Sequence, residues 1–153
     1  MDFYENIRTG EVEQLKAQLE AEPNLIEQKD SKGFTPLVLA TYSDQYAVAE
    51  LLLNLNAPVD GRDSSGNTPL MGVSFKGSAE IANLLISWGA DVNARNHSGM
   101  TALIFAAMAG HEQIIDLLLQ NGADRSMRDS RGNTAFEYSK VKGTPAMQEM
   151  LEV

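Results

Sequence analysis

The chain has 153 residues, of which 43% are hydrophobic and 22% are charged, a mixture typical of one folded domain rather than a disordered segment. It contains no cysteine, which excludes disulfides, thiolate metal sites and a thiol nucleophile and suits a reducing, cytoplasmic environment. The formal net charge of −9 disfavours a nucleic-acid partner, and no apolar run approaches the roughly 20 residues that a membrane span requires.

A short motif recurs at a constant interval along the chain. Thr35-Pro36-Leu37 returns, with small changes, at residues 68, 101 and 134, so that each step is 33 residues. A glycine column and an acidic or amide column keep the same step (Gly33, Gly66, Gly99 and Gly132; Asp30, Asp63, Asn96 and Asp129). Three columns without insertion or deletion predict a tandem-repeat architecture.

The first and last units differ from those between them. Residues 1–29 predict a degenerate N-terminal cap repeat in which Gly10 opens a helix with Val12, Leu15 and Leu19, and in which one extra residue lies near Pro23. Three full repeats follow at 30–62, 63–95 and 96–128. Residues 129–153 predict a C-terminal cap repeat whose second helix is incomplete, and its Ser139-Lys140 pair predicts a face exposed to water.

Each full repeat reads as a turn, two short helices and a loop. The Asp-x-x-Gly stretch predicts a turn, the threonine an N-cap, and Pro36 and Pro69 the first helical position. The first helix is predicted to end at a left-handed residue near Gly77, Gly110 and Gly143, with Asp44 in that place in the second unit. An apolar face at helical spacing marks the second helix, for example at Ile81, Leu84, Leu85 and Ile86.

These motifs identify a resemblance to a known family. The Gly-x-Thr-Pro-Leu motif, Gly110-His111, and the Leu-Leu-x-x-Gly-Ala-Asp-Val-Asn run that ends at Asn93 resemble the ankyrin repeat over essentially the whole chain. The resemblance implies an all-α solenoid of paired antiparallel helices with β-hairpin-like loops and about five repeats. The histidine that usually follows Thr-Pro-Leu is replaced, which implies that its hydrogen bonds are absent or substituted (Val38, Met71, Ile104 and Glu137).

Residues that could support catalysis are scarce. The two histidines, His97 and His111, have no second histidine at a metal-ligand spacing, and no nucleophile elbow or phosphate-binding loop is present. The carboxylates are spread over helix surfaces and turns, as on an ordinary solvated face. We therefore expect no enzymatic activity, no metal and no cofactor, and we expect a monomer that binds a protein partner.

The resemblance also implies where a partner binds. In ankyrin repeats the concave side, formed by the hairpin tips and the exposed side of each first helix, usually meets the partner. At the corresponding positions, aromatic, methionine and lysine side chains stand out as candidate anchors (Phe34, Tyr42, Phe75, Lys76, Met100 and Met108). The alternative is that each of these side chains packs on its neighbouring repeat.

A basic column also keeps the 33-residue step, and consists of Lys29, Arg62, Arg95 and Arg128. It could bind carboxylates of a partner or, as a third class of function, nucleic acid. The alternative is that neighbouring aspartates neutralise it. Because Asn96 stands where the other units have aspartate, Arg95 is expected to be the free member.

Two further possibilities remain open. Leu55 and Trp88 share one repeat position and could form an apolar patch away from the concave side, or pack between helix ends. The segment 68–77 is similar to small bacterial ankyrin proteins, some of which accompany stress enzymes. The resemblance thus also allows an accessory or regulatory partner of a specific enzyme, such as a stress-response catalase.

Overall fold

A computed structural model describes residues 2–153 and contains, over that range, ten α-helices, one 3₁₀ helix at Pro23–Glu27 and no β-strand. The α-helices form five consecutive pairs: α1 Phe3–Thr9 with α2 Val12–Ala21, α3 Pro36–Tyr42 with α4 Tyr46–Asn54, α5 Pro69–Lys76 with α6 Ala79–Ser87, α7 Ala102–Ala109 with α8 Glu112–Gln120, and α9 Ala135–Lys142 with α10 Pro145–Leu151. The predicted all-α solenoid of helix pairs is confirmed.

The first helix of each full repeat begins at a threonine cap. The hydroxyl oxygens of Thr35 and Thr101 accept hydrogen bonds from the amides three residues on, at 3.1 and 3.2 Å. Such caps stabilise a helix by about 1 kcal/mol each. In the last repeat the Thr134 hydroxyl instead donates to the Glu137 carboxylate at 2.9 Å. At this position, where the resemblance implies that the hydrogen bonds of the usual histidine are absent or substituted, Glu137 makes a hydrogen bond of its own.

The turns between paired helices depend on left-handed residues. Gly77 and Gly110 have φ of +105° and +79°, and Asp44 has φ of +57°, as the sequence predicts. The same prediction is wrong for Gly143, which is extended at φ −75° and ψ 151°. The chain passes directly from α9 into the cap of α10 here: Thr144, the residue before Pro145, is held in extended backbone, and Gly143 is extended as well. Glycine is still required, because a Cβ at position 143 would lie 2.4 Å from the Ser139 carbonyl oxygen.

A continuous hydrophobic core runs through the stack. Leu37, Leu70 and Leu103 of the first helices are at most 2% exposed, and their counterparts in the second helices are fully buried (Leu52, Leu85 and Leu118). Each repeat covers its apolar face with the next repeat, so the core exists only in the stack. The first helices pack more closely on one another than the second helices do, which places α3, α5, α7 and α9 on the concave side.

In the last helix pair, the predicted exposure of the Ser139-Lys140 pair is wrong for Ser139. Lys140 is exposed, but Ser139 is fully buried and its hydroxyl donates to the Phe136 carbonyl at 2.6 Å. The reason is α10, which packs against α9 and brings the buried Met147 and Leu151 to the end of the stack.

The hairpin loops stack along one edge of the solenoid. Within each loop the chain closes on itself, as in the bond from the Asp63 amide to the Asn67 carbonyl at 2.9 Å. Successive loops are also joined, for example from the His97 amide to the Ser65 carbonyl at 3.1 Å. These bonds fix the spacing of the hairpin tips beside the concave side.

Candidate functional site

The last turns of the concave helices carry a column of exposed apolar side chains. Tyr42 on α3 is 38% exposed, Phe75 on α5 is 41% exposed, and Val141 on α9 is 84% exposed. Met108 occupies the equivalent place on α7 and is partly buried. The predicted anchors Tyr42, Phe75 and Met108 therefore lie in one line on the concave side.

Aromatic rings meet in this region both within one repeat and between neighbouring repeats. The Phe34 and Tyr42 rings stack with centroids 6.3 Å apart, and the Lys76 ammonium lies 4.9 Å from the Tyr42 centroid. The Phe75 ring meets Phe105 edge to face at 6.1 Å. We call Phe34, Tyr42, Phe75 and Phe105, with Lys76, the aromatic cluster.

Sequence reasoning missed Phe105 and the role of Gly72. Both belong to one repeat position, which also holds Leu39 and Tyr138, so that residue type gives no common signal. Gly72 lies next to Tyr42, since a Cβ there would stand in van der Waals contact with the tyrosine ring at 3.5 Å. The 33-residue register would have placed both residues beside the anchors.

The structure also gives some predicted anchors a packing role. Phe34 and Met100, which share one position in the hairpin tips, are partly buried and pack against the hydrophobic core. Lys76 is exposed. The predicted set thus combines side chains that face solvent with side chains that support them.

The arginines of the basic column tie successive hairpins together. The Arg62 guanidinium donates to the Gly66 carbonyl at 2.8 Å and to the Arg95 carbonyl of the next repeat at 2.7 Å. Arg95 repeats this arrangement with the carbonyls of Gly99 and Arg128.

The expectation that Arg95 is the free member of the basic column is wrong, and the alternative of neutralisation by neighbouring aspartates is not seen as ion pairs. Arg95 is not free, since its guanidinium donates to carbonyls of two repeats. Within residues 2–153 the neighbouring aspartates form no ion pair with the basic column. The ion pair that the column does form joins Arg128 to Glu137 at 3.9 Å. Asp63 shows why: its carboxylate accepts the Ser65 and Asn67 amides at 2.9 Å and caps its own turn.

The turn of the last repeat has a perturbed carboxylate. Burial acts to raise the pKa of Asp129, but hydrogen bonds from the Tyr138 hydroxyl and from the amides of Asn133 and Arg131 outweigh burial and lower that pKa. The same bond to Asp129 raises the pKa of Tyr138. Both groups therefore stabilise the loop in their ordinary charge states, which suits a structural role.

The two histidines have different surroundings. His111 begins α8, and its Nε2 lies 2.9 Å from the Phe75 carbonyl oxygen of the preceding repeat. Gln45, at the matching position before α4, donates to the Arg8 carbonyl at 2.8 Å in the same way. His97 is exposed at a hairpin tip. No three His, Cys, Asp or Glu side chains within residues 2–153 are grouped so as to hold a metal ion.

A second apolar surface lies on the side of the second helices. Leu55 and Trp88, at the ends of α4 and α6, are 45% and 43% exposed. Leu55 also borders an open groove of about 460 Å³ that is lined mainly by apolar side chains (Lys16, Leu19, Glu20, Pro23, Ile26 and Leu51). Of the helices in the described range, none is both long and apolar enough to cross a membrane.

Comparison with known proteins identifies the family. The family model for ankyrin repeats in three copies matches residues 6–96 and, in a second overlapping match, residues 73–152. The chain belongs to the ankyrin-repeat family. No curated protein matches the chain significantly. Ankyrin repeats are generally protein–protein interaction modules, and the family typically provides scaffolds rather than catalysts.

Proposed function

We propose that this protein is a binding scaffold that holds a protein partner on its concave side, with the aromatic cluster as the anchor. The observation that carries the proposal is the exposure of Tyr42 and Phe75, at 38% and 41%, at equivalent positions of the first helices of neighbouring repeats. A solvent-facing aromatic side chain gains little until another surface covers it. Buried aromatic anchors commonly contribute 2 kcal/mol or more to binding, an order-of-magnitude value.

The cluster is also held rigidly. Stacking with Phe34 restricts Tyr42, and the edge-to-face contact with Phe105 restricts Phe75. Ordering a free side chain on binding costs about 0.5–1.5 kcal/mol, so anchors that are already ordered bind at a lower entropic cost. The basic column contributes to the rim, because its guanidinium groups stay exposed while they bind backbone carbonyls.

The test is affinity capture with quantitative mass spectrometry. Wild type is compared with a Phe34→Ala/Phe75→Ala/Met108→Ala variant, and circular dichroism checks that the variant is folded. We expect partners retained by wild type to be lost from the triple variant. An unchanged set of partners on a folded variant would exclude the concave side as the site.

The patch of Leu55 and Trp88 is the second candidate, favoured by its exposure and by the adjoining groove. A Leu55→Ser/Trp88→Ser variant serves as its test and as the control for the first experiment. Loss of partners from this variant alone would move the site to the side of the second helices.

A further inference from the structure

Charged residues are distributed unequally over the repeat positions. The ankyrin resemblance implies that the binding positions are the basic column and five equivalent positions in each of four repeats. These are residues 31, 32, 34, 42 and 43, residues 64, 65, 67, 75 and 76, residues 97, 98, 100, 108 and 109, and residues 130, 131, 133, 141 and 142. We call these 24 positions the face positions. They hold eight of the 12 lysines and arginines and none of the 21 aspartates and glutamates. The remaining 129 positions hold four cations and every carboxylate.

The cations at the face positions also lack internal counter-ions. All eight are exposed, and within residues 2–153 only Arg128 comes within 4.0 Å of a carboxylate, that of Glu137 at 3.9 Å. Cations elsewhere behave differently, since Arg8, Lys16 and Lys140 all pair with a glutamate three residues away. Seven of the eight cations therefore form no ion pair within residues 2–153, and Arg62 and Arg131 act on Asp60 and Asp129 only from beyond ion-pair distance, so the concave side presents positive charge that is largely available to a partner.

The opposite side has the opposite character. Carboxylates on the second helices, such as Glu80, Glu112 and Asp116, are exposed and border open grooves between neighbouring helices. A negatively charged partner is repelled from that side and attracted to the concave side. Such complementarity fixes orientation and speeds association.

We infer that the partner segment is acidic and carries aromatic or aliphatic side chains among its carboxylates. This inference rests on the proposed function and specifies its partner. Lys76 links the acidic and the apolar character of the partner. Its ammonium lies 4.9 Å from the Tyr42 ring centroid, so it can bind a partner carboxylate that lies next to a partner side chain covering Tyr42. A long nucleic acid fits less well, because its phosphates also meet the field of a chain with net charge −9.

The test is selection from a displayed library of random peptides of roughly 12 residues, a length that suits five stacked repeats. Selected peptides are then titrated against wild type, a Lys32→Glu/Lys76→Glu variant, and an Arg125→Glu/Lys140→Glu control. Both double variants lower the net charge by the same amount, but only the first changes face positions. Thermal unfolding verifies that both variants are folded.

We expect the selected peptides to be rich in Asp and Glu with aromatic or aliphatic residues between them. Their affinity should fall about tenfold or more in the Lys32/Lys76 variant, remain near wild type in the control, and weaken with added salt. A single-stranded DNA oligonucleotide of about 20 nucleotides should bind more weakly than these peptides.

Other outcomes separate the two proposals. Neutral or basic peptides that lose binding to a Phe75→Ala variant would keep the concave side as the site and overturn the acidic partner. Peptides insensitive to Phe75→Ala and to the lysine changes would overturn the proposed function itself. Recovery of no binding peptide counts against both proposals, and tighter binding of the oligonucleotide would replace the acidic segment with nucleic acid.

Discussion

Ser74 carries a hydroxyl that the fold leaves without a partner. The side chain on α5 is fully buried and its Oγ has no hydrogen-bond partner, whereas Ala107 fills the same position in the next repeat. A buried polar atom without a partner costs about 1–3 kcal/mol. We therefore expect Ser74→Ala to raise the free energy of unfolding by about 1 kcal/mol, as measured by urea denaturation.

Ser139→Ala is the matched control for this substitution. Ser139 is equally buried, but its hydroxyl donates to the Phe136 carbonyl at 2.6 Å. Alanine gains the same helix propensity at both positions, so the two variants differ in the hydrogen bond that is lost. Ser139→Ala should be the less stable of the two, and equal effects would contradict the assignment of an unpaired hydroxyl at Ser74.

Asp60 is a second residue whose polar group is poorly accommodated. Burial raises the pKa of Asp60, and the Asp91 carboxylate adds to this rise, while the Asp91 amide and Arg62 lower the pKa without cancelling it. A raised folded-state pKa means that the ionised form is disfavoured by folding. The contribution of Asp60 to the free energy of unfolding is therefore fully present below its unfolded-state pKa and is lost as pH rises through its folded-state pKa.

Asp60→Asn should therefore stabilise the protein at neutral pH by roughly 0.5 kcal/mol, and the gain should vanish at acidic pH, where Asp60 is protonated. Asn93 shows that asparagine fits this position, since it accepts the Asp124 amide at 2.8 Å and donates to the Gly122 carbonyl at 3.1 Å. Urea unfolding between pH 3 and pH 7 measures the difference. A gain that persists unchanged at acidic pH would refute the role of ionisation.

Asp124→Asn provides a control of opposite sign. The side chain and amide of Ser126 donate hydrogen bonds to Asp124 and lower its pKa. A lowered folded-state pKa contributes stability above the unfolded pKa, and this is lost as pH falls through the folded pKa. Asp124→Asn should thus destabilise the protein at neutral pH, with a difference that shrinks in acid.

Successive hairpins are held together by side chains as well as by their own amides. One Arg62 nitrogen bonds carbonyls in two repeats, so Arg62→Ala should lower the free energy of unfolding by about 1–2 kcal/mol. Because both acceptors are neutral carbonyls and Asp60 interacts with Arg62 only as the smallest influence on its pKa, the loss should depend only weakly on salt in urea denaturation. Arg131→Ala, at an exposed tip position, should change stability by less than about 0.5 kcal/mol. A strongly salt-dependent loss at Arg62 would indicate an ion pair instead.

Features decided within one repeat are those that the sequence predicts well. Thr35 caps an amide three residues away, and the left-handed Gly77 ends its own helix, so local chemistry suffices for both. The exposed positions of Tyr42 and Phe75 follow from the register of the repeats.

Features decided between repeats are those that the sequence does not reveal. The acceptor of Arg62 in the next repeat lies 33 residues away, and the burial of Ser139 depends on the last helix pair as a whole. Whether an arginine points to a partner or to a neighbouring carbonyl depends on the spacing of stacked loops, which no single repeat encodes. For this reason the sequence predicts the basic column as a column but does not show that Arg95 is bonded to neighbouring carbonyls.

The whole molecule behaves as a stack in which every repeat contacts only its neighbours, so a defect should act according to its place in the stack. Leu85 in α6 and Leu151 in α10 are both fully buried, but α6 has packed neighbours on both sides and α10 ends the stack. Replacing either with alanine removes the same atoms and costs about 2–5 kcal/mol where the cavity cannot close.

In Leu85→Ala the loss should appear as global destabilisation, with faster amide hydrogen exchange throughout the core. In Leu151→Ala the end of the stack should open locally, so that amides of α9 and α10 exchange faster while those of α3 to α6 keep wild-type protection. Equal acceleration of all helices in both variants would show that the five pairs unfold as one unit.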